Sequence, residues 1–206
     1  MTAAHDHDHS HHMEPESPTS IRVRALESLL IEKGLMTSDV VDRIVTMYEE
    51  DIGPHNGAKV VARAWTDPAF KQRLLEDGSA AIGELGFGGV HLQVIENTPN
   101  VHNMVVCTLC SCYPSALIGL PPTWYKSFEY RSRAVIEPRV VLHEFGLDVP
   151  ESVEVRVWDS SSELRYLVLP ARPDGTEGWS EEELARLVSR DSMIGVARAL
   201  EPTAVA

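Results

Sequence analysis

Long apolar runs and positive charge are both scarce in this chain of 206 residues. No apolar run approaches the roughly 20 residues that a membrane-spanning helix needs. The 18 Lys and Arg face 31 Asp and Glu, which gives a formal net charge of −13 at pH 7. That sign opposes binding to the phosphates of nucleic acid and docking on an anionic membrane. We therefore expect no nucleic-acid partner and no membrane partner.

The start of the chain, MTAAHDHDHSHH, lacks a basic segment followed by an apolar one. We therefore expect no secretory signal peptide and a cytoplasmic protein. Residues 1–18 contain five of the nine His and no Lys or Arg. This composition predicts a disordered head that could loosely bind a divalent metal ion.

The remaining sequence divides at a cluster of glycines near residue 86. In residues 19–85, apolar side chains recur at helical spacing, with one helix closed by Gly34 and a second expected to begin at Thr37 or Ser38. The connections are short and the apolar stripes are thin. We expect these residues to form a helical arm that wraps a partner subunit.

Residues 86–206 change to the spacing of strands before ending in a helix. The predicted strands are 92–95, 104–106, 153–157 and 164–168. The polar run 159–163 predicts an antiparallel hairpin between the last two. Ser180 and Glu183 form a capping box that opens a helix to about Arg190. The sequence thus predicts an α+β fold, in which the helical N-terminal arm precedes a layered α/β/β/α-type domain carrying a cysteine loop.

All three cysteines lie within six positions, at Cys107, Cys110 and Cys112. An odd number of cysteines without a secretion signal argues against a disulfide framework. Buried structural cysteines, a dithiol redox pair and a zinc site remain open interpretations. The zinc site would need a fourth ligand, for which His102 and His143 are candidates.

A fourth interpretation is a compact metal-binding claw. The C-x-x-C-x-C spacing lets three sulfurs point into one loop and turns the backbone amides of Ser111 and Cys112 towards the same centre. If those amides deprotonate, an ion meets three sulfurs and two nitrogens, and one octahedral position stays open. Such strong-field donors favour a low-spin trivalent ion over zinc or magnesium. An open position is typical of catalytic metal sites.

The cysteine run VCTLCSCYP, with GLPPTWYKSFEYRSR, RVWDSSSELRYLVLP, RPDGTEGWSEEEL and SMIGV, closely resembles the α subunit of nitrile hydratase. The resemblance extends from about Ser20 to Val196. It implies a lyase that hydrates a nitrile to the amide at one non-corrin cobalt(III) or iron(III) ion per α subunit.

The resemblance also assigns the ligands. Cys107, Cys110 and Cys112 would donate sulfur, with Cys107 axial, and Ser111 and Cys112 would donate backbone amide nitrogen. Cys110 would be oxidised to a sulfinic acid and Cys112 to a sulfenic acid. Cys110, Ser111 and Cys112 are therefore the candidate catalytic residues. The ion would act as a Lewis acid, with the sulfenate oxygen of Cys112 as an alternative nucleophile or base.

The implied partners are a β subunit, in an αβ or α2β2 assembly, and an activator protein that inserts the metal. In the family, the β subunit supplies two arginines to the oxygenated sulfurs. Donors that bind to the ligands, and not to the ion itself, tune metal sites strongly.

Five positions beside the loop refine the resemblance. Thr108 and Tyr113 resemble the cobalt type, since iron members usually carry Ser and Thr there. Ser115 and Ala116 stand where relatives usually carry Trp and Pro, and Gly88 stands where many carry Gln. Losing the Trp ring removes about 100 Å² or more of apolar surface, which predicts a wider pocket that accepts bulkier nitriles.

Two alternatives stay open. The γ subunit of thiocyanate hydrolase uses the same cluster to form carbonyl sulfide and ammonia, and Ser115 is compatible with it. The GLPPTWYK and VWDSSSE segments favour the hydratase. A non-catalytic metal-carrying protein would use the three cysteines together with the His-rich head.

Overall fold

The computed structural model describes residues 18–37, 39–40 and 53–202. The described residues up to 40 belong to one compact unit, and those from 53 onward belong to a second. Residues 1–17 of the predicted head, and all but the beginning of the predicted second helix, lie outside the described residues. Pro18, the last residue of the predicted head, begins the first helix instead. None of the helices in these ranges combines the length and the apolarity that crossing a bilayer requires.

The first unit contains the helix α1 (Pro18–Glu32). The chain leaves this helix at Gly34, whose φ of +67° lies in the left-handed region that favours glycine. The amide of Leu35 then donates to the carbonyl of Leu30 at 3.0 Å. The predicted helix and its end at Gly34 are confirmed. Its large apolar side chains are exposed: Ile21, Val23, Leu26, Leu29 and Ile31.

The second unit alternates helices and short strands. In chain order these are α2 (Pro54–Thr66), α3 (Pro68–Glu76), α4 (Gly78–Glu84), β1 (Leu92–Glu96), β2 (Val101–Val106), α5 (Ser115–Ile118), a 3-10 turn (Trp124–Lys126), α6 (Phe128–Ile136), α7 (Pro138–Glu144), β3 (Glu154–Asp159), β4 (Arg165–Leu169), α8 (Glu181–Ala185) and α9 (Arg190–Ile194). Helices and strands are mixed, as an α+β fold requires.

The helices α2 to α4 pack into the same core as the strands. Asp67 caps α3 by accepting from the amides of Ala69 and Phe70 at 3.0 Å each. Behind that cap, Phe70 and Leu74 are buried in the core that also contains Val94 of β1. The boundary expected at residue 85 is therefore corrected, because these helices bury their apolar faces inside the unit that begins before α2. That residues 19–85 wrap a partner stays a prediction.

The four predicted strands are confirmed, but the predicted antiparallel hairpin between the last two is wrong. β1 pairs with β4 in parallel, from Leu92 opposite Arg165 to Glu96 opposite Leu169. β2 pairs with β3 in parallel, in a second two-stranded sheet. Strand alternation indicates which residues are extended, but it does not determine which strands pair.

The residues between β3 and β4 show how the chain changes sheets. The amide of Ser160 still donates to the carbonyl of Val106 in β2, at 2.7 Å. The Ser161 hydroxyl then accepts from the amide of Leu164 at 3.1 Å, which closes a turn. After the turn, the amide of Arg165 donates to the carbonyl of His91, just before β1. β3 and β4 therefore end up with different partners.

The C-terminal helix ends earlier than its sequence pattern predicts. The capping box of Ser180 and Glu183 is present and opens α8. The helix stops at Ala185, and a second capping box at Ser189 opens α9, so the predicted continuation to Arg190 is corrected. Gly195 ends α9 with φ +89°, and an added Cβ there would lie 2.0 Å from the carbonyl oxygen of Asn103 in β2. Only glycine permits this close approach.

His102 on β2 is buried beside this close approach of Gly195 to the strand. Its Nε2 lies 2.7 Å from the carbonyl oxygen of Gly195, and its Nδ1 lies 3.4 Å from Nδ2 of Asn97. A neutral ring that donates from Nε2 and accepts at Nδ1 satisfies both neighbours. Burial, which disfavours the charged form, lowers the pKa of His102 below its ordinary value.

This burial predicts a pH-dependent stability. The lowered pKa means that the unfolded chain binds the proton more tightly, so stability is present above about pH 6.5 and is lost as the pH falls below it. His102→Gln keeps a donor and an acceptor but does not titrate. We expect its free energy of unfolding, measured by urea denaturation, to fall less between pH 7.5 and 5.5 than that of the wild type, by at most about 1.4 kcal/mol per pH unit.

His143→Gln is the matched control. Asp148 lies 2.6 Å from Nδ1 of the exposed His143 and raises its pKa. The contribution of His143 is therefore present at low pH and is lost as the pH rises. Its removal should therefore make the free energy of unfolding fall more steeply as the pH is lowered, which is the opposite of the effect expected for His102→Gln. Equal slopes for wild type and His102→Gln would contradict the prediction.

Candidate metal centre

β2 delivers the cysteine loop from the core to the surface. Cys107 directly follows the strand and is completely buried. The chain then turns outward, so that Leu109 is 87% exposed and Cys110 is exposed. Cys112 is half-buried, and Tyr113 returns to the core. The loop is thus anchored at both ends and open in the middle.

The structure brings the three predicted sulfurs together. The Sγ atoms of Cys107 and Cys110 lie 3.4 Å apart, and those of Cys110 and Cys112 lie 3.1 Å apart. All three lie within 4.8 Å of one another. This group of ligand atoms is compact enough to hold one metal ion.

The backbone amides of Ser111 and Cys112 face the same group. Hydrogen bonds from the thiols of Cys112 and Cys107, and then from these two amides, lower the pKa of Cys110 to about 7. Burial is the main cause that raises the pKa of Cys112 to about 12. No backbone carbonyl in the described part of the chain accepts from either amide. Three sulfurs and two amides without a carbonyl partner fit a metal-binding claw.

Donors outside the loop hold its carbonyls. The hydroxyl of Tyr125 donates to the carbonyl of Cys112 at 2.9 Å, and that of Tyr130 donates to the carbonyl of Val105 at 2.6 Å. Nε of Arg131 donates to the carbonyl of Cys107 at 3.1 Å, and Nη2 donates to that of Thr108 at 2.7 Å. These residues lie within GLPPTWYKSFEYRSR, one of the segments that carry the family resemblance. The sequence does not predict their contacts with the loop, because the spacing between donor and loop is not periodic.

Asp159 is another functional residue that sequence reasoning missed. Its carboxylate accepts from the amide of Thr108 at 2.9 Å and from the hydroxyl of Thr108 at 2.5 Å. The pairing register places Asp159 opposite Val106, one residue before the loop. The parallel partner strand therefore carries the acceptor that caps the first turn of the loop.

Aromatic rings form the floor beneath these donors. Tyr125 is completely buried, and its ring meets that of Tyr113 edge-on with centroids 5.1 Å apart. The rings of Trp124 and Tyr130 meet in the same manner at 4.8 Å. Burial raises the pKa of Tyr125 and Tyr130, so both hydroxyls stay protonated and donate. Such packing fixes the donors in place.

The histidines considered as a fourth zinc ligand lie elsewhere. His102 is held by Gly195 and Asn97, and His143 is paired with Asp148. Neither joins the cysteine group, whose members in the described ranges are the three thiols alone. Within the described ranges, the group of thiols therefore includes no histidine, and neither His102 nor His143 completes a zinc site there.

Ser115 and Gly88, two positions at which this chain departs from the family pattern, differ in their burial. Ser115 begins α5, three residues after the last cysteine, and is half-buried. Gly88 is exposed, and an added Cβ there would meet no atom within 4 Å. The missing side chain at Gly88 thus leaves no packing defect in this chain.

A cleft of about 350 Å³ lies away from the loop. Asn97, Val149 and Arg198 are among its lining residues, and none of the three cysteines lines it. Among the described residues, Leu109 and Cys110 are exposed, so the outer side of the cysteine loop is open there.

Comparison with known proteins agrees with this geometry. The family model described as "Nitrile hydratase, alpha chain" matches residues 17–197. The chain is 59% identical over 187 residues to the cobalt-containing nitrile hydratase subunit alpha of Pseudonocardia thermophila, covering 89% of this chain and 92% of that one. It is 42% identical over 199 residues to the thiocyanate hydrolase subunit gamma of Thiobacillus thioparus, covering 90% and 82%.

A solved structure shows the same fold. A double mutant of the Fe-type nitrile hydratase from Comamonas testosteroni Ni1 matches with a TM-score of 0.84 and 48% identity. The match covers 92% of this chain and 94% of that chain. Similarity therefore extends through the cysteine loop and the elements that support it.

The bond from Tyr125 to the loop predicts a measurable stability. Tyr125→Phe keeps the buried ring and removes only the donor to the carbonyl of Cys112. We expect a loss of about 1 kcal/mol, which is a fall of about 2–4 °C in Tm for a chain of this size. Thermal melting of the metal-free chain measures it.

Tyr166→Phe makes the same chemical change at a control position. The Tyr166 hydroxyl forms no hydrogen bond with the part of the chain that the structure describes, although its ring packs on Trp158. Its Tm should move by less than about 1 °C. Equal shifts for the two variants would show that the bond to Cys112 adds no stability.

Proposed function

This chain belongs to the nitrile hydratase α-chain family, and from that premise we propose that it is the metal-bearing subunit of a cobalt-type hydratase, which converts a nitrile to its amide. The observation that carries the proposal is the convergence of three sulfurs within 4.8 Å at the open end of β2. A catalytic metal needs such a donor set with one side left accessible.

The proposed ligands are the sulfurs of Cys107, Cys110 and Cys112 and the amide nitrogens of Ser111 and Cys112. Thiolate and amide donors suit one trivalent cobalt ion per chain. The similarity to a cobalt-containing relative and the identity of Thr108 favour cobalt over iron. Oxidation of Cys110 to the sulfinic form, a four-electron change, and of Cys112 to the sulfenic form, a two-electron change, is part of the same proposal, with dioxygen as the oxidant.

When bound, the ion supplies Lewis acidity towards the nitrile or towards water. In the net reaction, the oxygen of one water molecule bonds to the nitrile carbon and becomes the amide carbonyl oxygen. The carbon–nitrogen triple bond becomes the amide C–N bond, and both protons of that water end on the nitrogen. The oxygen on the sulfenic Cys112 is the proposed base or nucleophile at this step. The role of Cys107, buried beneath the loop, is to anchor the ligand set from the protein side.

Family α subunits function with β subunits, and the exposed apolar side chains around the loop support such a partner here. Leu109, Leu120 and Phe128 are 87%, 57% and 76% exposed. We propose that the β subunit, in an αβ or α2β2 assembly, covers this face and supplies the donors that oxygenated sulfurs require. The exposed apolar residues of α1 offer it a second surface. An activator protein for cobalt insertion and a cytoplasmic location remain predictions.

An assay of the assembled enzyme tests the function. The cobalt-loaded complex of this chain with its β subunit should convert small and aromatic nitriles to amides, measured directly by chromatography. Cys112→Ala removes one sulfur and should abolish both cobalt loading and amide formation.

Thiocyanate distinguishes the alternative. Carbonyl sulfide from thiocyanate, without amide from any nitrile, would make the chain a thiocyanate hydrolase subunit instead. Cobalt that exchanges rapidly into a chelator, with neither product formed, would indicate a metal carrier.

Ser115 predicts the size preference. The half-buried serine stands where relatives usually carry Trp, so the pocket should accept bulkier nitriles. Ser115→Trp should lower kcat/KM for aromatic nitriles by about 10-fold while changing acetonitrile less, since excess volume costs about 1–3 kcal/mol. Ser115→Ala is the control for loss of the hydroxyl. An unchanged ranking in the Trp variant would show that another chain fills the space.

A further inference from the structure

Arg131 donates hydrogen bonds to two consecutive carbonyls at the first turn of the cysteine loop. It lies on α6, and its Nε and Nη2 reach the carbonyls of Cys107 and Thr108 at 3.1 Å and 2.7 Å. The planar guanidinium can donate in two directions at once, in a fixed geometry. The peptide group between Cys107 and Thr108 is thereby held from outside the loop.

Arg131 forms no ion pair with any residue that the structure describes. Arg133, two residues along the same helix, pairs with Glu137 and Glu144. Within the described ranges, the only hydrogen bonds of Arg131 are to the two loop carbonyls, and no carboxylate pairs with it. Its position therefore depends on the loop itself, which distinguishes it from Arg133.

The two carbonyls that Arg131 holds control the position of the buried sulfur. Asp159 already holds the Thr108 amide, and Tyr125 holds the carbonyl at the far end of the loop, on Cys112. The backbone from Cys107 to Thr108 sets the direction in which the Cys107 side chain leaves the chain. A loose peptide group there would displace the Cys107 sulfur from the other two.

We propose that Arg131 is a positioning residue for the metal centre, and that its two-carbonyl fork keeps the Cys107 sulfur aligned with those of Cys110 and Cys112. This role rests on the proposed function, since it concerns the ligands of the ion. The two hydrogen bonds from one planar guanidinium are what positions the loop, so a lysine ammonium, which is a point charge, cannot replace it. Arg131 does not contact the reacting atoms.

Two variants separate the fork from the charge. Arg131→Lys keeps the charge but cannot hold both carbonyls in the planar geometry of the guanidinium. Arg131→Gln removes the charge and leaves an amide donor. Each is prepared as the complex with the β subunit, in the metal-free reduced state, and is titrated anaerobically with Co²⁺. The readouts are the dissociation constant and the position of the thiolate-to-cobalt charge-transfer band.

We expect both variants to bind Co²⁺ about 10- to 100-fold more weakly than the wild type, as is typical when a residue that orients a ligand is lost. We also expect the charge-transfer band to shift, because the sulfur geometry changes. Arg156→Gln is the matched control, since it removes an exposed arginine that pairs with Glu154 on β3. Its affinity and band should equal those of the wild type.

Thermal melting of the metal-free complexes shows whether each variant is folded at the titration temperature. A folded Lys variant with wild-type affinity and band would overturn the fork as the operative feature. Wild-type behaviour in both variants would overturn the whole inference while leaving the proposed function intact. A wild-type complex that binds no Co²⁺ would overturn both.

Discussion

The parallel pairing of β2 with β3 is the constraint on which the metal centre depends. Its register sets Val106 opposite Asp159, so the strand that ends at the first cysteine lies beside the strand that ends at the capping carboxylate. Parallel strands end at the same edge of a sheet, which is why residues 51 positions apart in the chain meet there. A shift of the register by one residue would turn each side chain to the opposite face and separate Thr108 from Asp159.

That edge alone would leave the loop held on one side. The segment from Trp124 to Arg131 supplies the opposite side, with aromatic rings that pack into the core and polar tips that reach the loop carbonyls. Buried tyrosines remain protonated donors because their burial disfavours the phenolate. Core packing and the position of the loop are therefore coupled, because the same tyrosine ring that packs in the core carries the hydroxyl that binds the backbone of the loop.

Much of this arrangement could be predicted from the sequence where the signal is local. The positions of the strands, the capping box at Ser180 and the cysteine cluster depend on short-range patterns, and each was confirmed. Strand partners, the early end of α8 and the supports from Asp159, Tyr125 and Arg131 depend on contacts between distant residues. Periodicity carries no information about those contacts. The family resemblance identified the segments that contain them but not which atom meets which carbonyl.

The exposure of the loop follows from the same construction. Cys107 and both ends of the loop are buried. The side chains of Tyr125 and Arg131 donate to the carbonyls of Cys112 and Cys107, and not to the sulfurs. Nothing in the described residues covers Leu109 or encloses the thiol of Cys110 on the outer side. A nitrile site needs walls that exclude water and donors that stabilise oxygenated sulfur. In the proposed function, the described residues of this chain supply a floor and the proposed ligands, and the β subunit would supply the walls and the outer donors.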